Sequence, residues 1–207
     1  QEQAELSFEE EGYFRKRAWE NDTLAVVVIS GRSAPTADRD GLERQALELG
    51  VSDSQGAEDG HCAWGFQAYE RWRRSLLSDD LEEVDDITLR GRLDYHTHFV
   101  GHLAAQKWYT ACFLKAAQTR VWSVGDMLHA AGCYARIHEL MWDAWMVAGG
   151  YWRDRTAEVR KFREPAARQR IGHIIAEARD LDETAVEHLE SALDAWDKTH
   201  AFYTRSV

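Results

Sequence analysis

Apolar positions in the second half of the chain recur at three- and four-residue intervals, the spacing that gathers them on one side of an α-helix. Between residues 86 and 119, Leu89, Leu93, His96, Val100, Leu103 and Ala111 line one side, while Tyr95, His98, His102, Tyr109 and Phe113 line the other. Apolar and aromatic residues on both sides predict a helix in the middle of a bundle, covered from both directions. Over 124–148, Met127, Ala131, Tyr134, His138, Met141, Trp142 and Trp145 form one stripe and predict a neighbour for one of those faces.

The same periodicity predicts helices over 62–78, 166–180 and 183–200. Asp79-Asp80 and Asp85-Asp86 mark the first break, and Ser123 with Asp126 resembles a capping box. Gly149-Gly150 ends the helix before it, and Pro165 suits a first helical turn. Nearer the start, Arg39 to Leu49 reads as a short helix capped by Gly50, followed by a polar loop from Ser52 to Gly60.

Leu24 to Ile29 is β-branched and closed by Ser30-Gly31, the profile of a buried strand. Gly12 to Trp19 is its nearest candidate partner, but a lone hairpin is marginal in water, so the sheet is expected to continue outside this chain. The predicted fold class is mainly α, a multi-helix bundle with a short N-terminal β-strand or hairpin. Residues 1–35 form the β element, 36–60 a short helix and polar loop, and 61–207 the helical bundle domain.

Composition narrows the function classes. The chain has 207 residues, and its 25 basic and 36 acidic side chains give a net charge of −11. Without a basic stripe to track phosphates, nucleic acid is not an expected partner. No apolar run approaches the roughly 20 residues that span a bilayer, so no membrane partner is expected either. Cys62, Cys112 and Cys133 are odd in number and lack CxxC spacing, which predicts free thiols and a cytoplasmic location. The chain opens on Gln1 rather than Met, so a processed or partial chain is expected.

Two constellations carry candidate chemistry. His98 and His102 are one helical turn apart and His138 lies on the next helix, so three imidazoles can converge, with Glu139 or Glu187 as a further donor. This is the alternative reading as a divalent-metal bundle; the leading reading needs no cofactor. The same histidines, with Tyr109, Tyr134 and Trp142, also suit an aromatic pocket for a small molecule. Cys62 stands at the apparent start of a helix, where a thiolate is favoured, but its activation needs a remote base such as His188 or His200.

Several local patterns together point to a family. Gly65-Phe66-Gln67-Ala68-Tyr69-Glu70-Arg71-Trp72, Trp108-Tyr109 with Phe113-Leu114, Cys133-Tyr134 with His138 to Trp142, and Ile174 to Glu190 resemble the helical C-terminal half of C39-like, papain-fold cysteine peptidase family proteins akin to the butirosin-biosynthesis acyltransferase. The resemblance implies that Leu24 to Ile29 ends that fold's sheet. It also implies that the nucleophilic cysteine and its histidine come from an upstream papain-like segment or a partner chain in a hetero-oligomer. Cys62 does not fill the family's nucleophile position, so no catalytic residue is carried over. The chain would then shape the substrate site of a thiol hydrolase or acyltransferase without performing the chemistry alone.

Overall fold

The computed structural model describes residues 39–58, 62–78, 81, 83–117, 124–150 and 155–205, all within one unit spanning Ala37–Val207. The order is α1 (Arg39–Gln55), β1 (Ala57–Glu58), β2 (Ala63–Trp64), α2 (Phe66–Leu76), α3 (Asp86–Ala117), α4 (Val124–Ala148), α5 (Arg155–Arg163) and α6 (Pro165–Arg205). The fold is mainly α, a multi-helix bundle, as the periodicity predicts. Among the described residues, no helix is long and apolar enough to cross a membrane.

The core is built on α6. Its buried stripe runs Ile171, Ile175, Ala178, Asp182, Ala185, Leu189, Ala192 and Trp196, alternating three- and four-residue steps. α4 packs along α6 with Met127, Ala130, Ala131, Tyr134, Ile137, Met141 and Ala144, and its opposite side packs on α3. Small residues at these crossings bring the helices close, so large side chains elsewhere fill the remaining space. α1 and α2 also lie on α6, whereas α3 and α6 share α4 as a neighbour without packing closely on each other. A gap is therefore left between α3 and α6, with α2 beside it.

Helix ends follow local chemistry. Asp85 caps α3, its Oδ1 accepting the Ile87 and Thr88 backbone N–H groups at 2.9 Å each. Those bonds hold the Asp85 carboxyl below its ordinary range. At the end of α4, Gly149 and Gly150 take positive φ, and the Gly150 N–H donates to the Trp145 carbonyl at 2.9 Å. Buried Arg168 on α6 donates from Nε to the Leu76 carbonyl at 3.1 Å and from its guanidinium to the Phe162 and Arg163 carbonyls. One cation thereby satisfies the C-terminal carbonyls of both α2 and α5.

Four expectations are corrected. Helix α1 runs through Gly50 to Gln55, and Gly56, at φ 62°, does the terminating instead. The stretch read as a polar loop, Ser52 to Gly60, holds the end of α1 and strand β1, and the stretch read as a helix from 62 opens with strand β2; Ala57 pairs with Trp64 and Glu58 with Ala63. Residues 166–180 and 183–200 belong to one helix, because the Asp180-Leu181-Asp182 stretch contains no glycine or proline to stop it. Finally, α3 is not covered on both sides: Tyr95, Phe99 and Tyr109 are 70%, 58% and 72% exposed, respectively. Its main packing partners, α4 and α5, lie along the Leu89–Val100–Ala111 side. The expected strand Leu24–Ile29, its partner Gly12–Trp19 and Ser123 lie outside the described residues.

Candidate functional site

The gap between α3 and α6 holds a cavity of about 900 Å³. Exposed Tyr95 and Phe99 line its mouth, and buried Tyr69, His96, Phe162 and Asp182 line its depth. Ligand sites commonly occupy roughly 300 to 1,000 Å³ and combine apolar walls with a few placed polar groups.

The polar groups occupy core positions. Asp182 takes a place in the apolar stripe of α6, and His96 and Lys107 do the same on α3, in register with Leu93, Val100, Ala104 and Ala111. Lys107 Nζ lies 2.6 Å from Asp182 Oδ2, and the Tyr69 hydroxyl donates to the same oxygen at 2.7 Å. Lys107 also sits 4.6 Å from the centre of the Tyr134 ring. Burial, reinforced by Asp182, pushes the Tyr69 hydroxyl well above its usual range, so it remains a donor at neutral pH. Burial likewise raises Tyr134. Asp182 Oδ1 is buried without a hydrogen-bond partner among the described residues.

His96 presents the complementary feature. Trp72 Nε1 lies 3.2 Å from His96 Nδ1. An indole nitrogen only donates, so Nδ1 accepts and the proton of the neutral ring is on Nε2. Burial between Trp72 and Phe162 pushes the imidazole down to about 4, which keeps it neutral at physiological pH. Nε2–H is thus a fixed donor, and it too is buried without a partner among the described residues. An orphaned donor and an orphaned acceptor along one cavity are costly in an apolar interior unless something else engages them.

The expected ligand-binding residues divide. His98 and His102 line the cavity, with ring centres 4.3 Å apart, but both are exposed near its mouth. Tyr109, Tyr134, His138 and Trp142 lie outside its lining. The expected metal set of His98, His102 and His138 does not assemble. His138 Nδ1 donates to the Ala104 carbonyl at 2.9 Å and Nε2 accepts from Trp142 at 3.2 Å, so both nitrogens are committed. Among the described residues, three metal-type donors converge only at Asp126, His129 and His188, none of which lines the cavity.

Cys62 is exposed and precedes β2, so it does not stand at a helix N-terminus, which falls at Phe66 instead. His188, suggested as its base, is 3.0 Å from Asp126. The side chain of His200 lies outside the described residues. The periodicity of the sequence already contains a signal for this cluster: a charged or imidazole side chain interrupting an apolar stripe at Asp182, Lys107 and His96.

No family model, curated protein or solved structure matches this chain.

Proposed function

We propose that this chain recognises a small organic molecule in the α3–α6 cavity, forming the substrate-shaping part of a C39-like thiol hydrolase or acyltransferase. The nucleophile comes from an upstream segment or a partner chain. One observation carries the recognition of a ligand: His96 Nε2–H and Asp182 Oδ1, both buried and unpartnered among the described residues, belong to side chains that line one large cavity. The ligand class follows from their chemistry. It offers an acceptor to His96, an N–H or O–H to Asp182, and an apolar or planar body to Trp72, Phe99 and Phe162.

A thermal-shift screen of small amides, amidines, amino acids and acyl thioesters tests this. Compounds with both a donor and an acceptor are expected to stabilise the wild-type chain and to lose that effect in His96→Gln and Asp182→Asn. Absence of any shift across the screen, or shifts indifferent to both substitutions, would refute cavity recognition. Hydrolysis of the thioesters by this chain alone would refute the division of labour with another segment.

A further inference from the structure

We propose that Asp126, His129 and His188 bind a borderline divalent metal ion, of the Zn²⁺ or Co²⁺ kind, at the seam between α4 and α6. The site stands apart from the cavity and does not depend on how the cavity is read.

The helical spacing creates it. Asp126 and His129 are three residues apart on α4, His188 and Ser191 three apart on α6, and each pair shares one face. Because these helices pack along each other, the two pairs meet. His188 Nδ1 lies 3.0 Å from Asp126 Oδ1, and the His129 and His188 ring centres are 4.9 Å apart. One donor atom from each of the three residues lies within 4.8 Å of the others.

Zn²⁺ bonds of about 2.0 to 2.1 Å in tetrahedral geometry place neighbouring ligand atoms roughly 3.3 Å apart. The His188–Asp126 separation is already close to that figure, and exposed His129 has only to swing inward. The ion replaces the proton that now lies between Nδ1 and Oδ1, and His188 then carries its proton on Nε2. Ser191 Oγ donates to Asp126 Oδ2 at 3.0 Å and so orients the carboxylate from behind. Two imidazoles and one carboxylate favour Zn²⁺-like ions over Mg²⁺ or Ca²⁺, which prefer all-oxygen shells. Three protein ligands also leave a coordination position open on the exposed side.

Co²⁺ titration of the 207-residue chain, read by visible absorption and equilibrium dialysis, tests the site. One ion per chain is expected, with binding weakened by more than about tenfold in His129→Ala and in His188→Ala. His129 is exposed, so its substitution leaves the fold intact as judged by circular dichroism. The exposed His98–His102 pair is the competing metal-binding position, and its double alanine variant is expected to bind as wild type does. No bound Co²⁺, binding indifferent to His129 and His188, or binding lost only with His98 and His102 would overturn the proposal.

Discussion

The indole of Trp72 donates to Nδ1 of His96 across 3.2 Å, and this contact decides which nitrogen of a buried imidazole faces its surroundings as a donor. Trp72 comes from α2 and His96 from α3, so the fixed tautomer depends on packing between two helices. Phe162, with its ring centre 5.5 Å from that of His96, holds the other side.

Stability is expected to depend on the charge state of His96. Its ordinary value of 6.5 falls to about 4 in the folded chain, so between those limits the unfolded chain binds the extra proton. Stability from this source is present above pH 6.5 and is lost as pH falls toward 4, by about 3 kcal/mol over the window. Urea unfolding at a series of pH values should show this slope in the wild type and its reduction in His96→Gln. Equal slopes in the two proteins would contradict it.

The Lys107–Asp182 pair is expected to be strongly coupled. Asp182→Ala leaves a buried ammonium without its counter-ion and should cost about 3 to 5 kcal/mol. The triple variant Tyr69→Phe, Lys107→Met, Asp182→Leu removes all three polar members and should recover most of that loss while abolishing ligand shifts. Chemical denaturation of the single and combined variants provides the measurement, and purely additive losses would contradict the coupling.

The way these groups read in the sequence explains what is and is not legible there. The helices over 86–119 and 124–148 are visible because their apolar spacing is long and regular, and Gly149-Gly150 at the end of the second and Pro165 at the start of α6 mark boundaries with chemistry that acts locally. Asp182 is hidden because Asp180-Leu181-Asp182 resembles a turn, which divides α6 at the residue that carries its carboxylate into the cavity lining. His96 sits visibly in the apolar stripe, but only the approach of Trp72, 24 residues earlier, gives it a role. His98 and His102 stand out by their spacing alone, and spacing does not report exposure. Arg155–Arg163 is too short a pattern to stand out as a helix.

Two glycines should respond in opposite directions. Gly65 has φ 59°, and a Cβ there would collide with the backbone of Ser54 and Gly56, so Gly65→Ala should destabilise by more than about 1 kcal/mol. Gly50 lies inside α1, and a methyl group added there would meet nothing within 4 Å, so Gly50→Ala should stabilise by roughly 0.5 to 1 kcal/mol. Melting temperatures of the two variants check the contrast, and destabilisation by Gly50→Ala would restore that residue as a helix terminator.

Removing the Arg168 guanidinium should loosen two helix ends together. Arg168→Met leaves the carbonyls of Leu76, Phe162 and Arg163 without this donor and should cost about 1 to 3 kcal/mol. Hydrogen exchange should quicken at the C-terminal turns of both α2 and α5. A change confined to one of them would contradict the shared cap.

Recognition in the cavity is tested most directly by ¹⁵N-histidine NMR of the chain during titration with small donor–acceptor compounds. One imidazole, assigned through His96→Gln, is expected to keep its proton on Nε2 between about pH 5 and 8. Its Nε2 resonance should move on binding while that of His138 stays in place. A His96 ring that exchanges between tautomers, or one that no bound compound perturbs, would contradict this reading of the cavity.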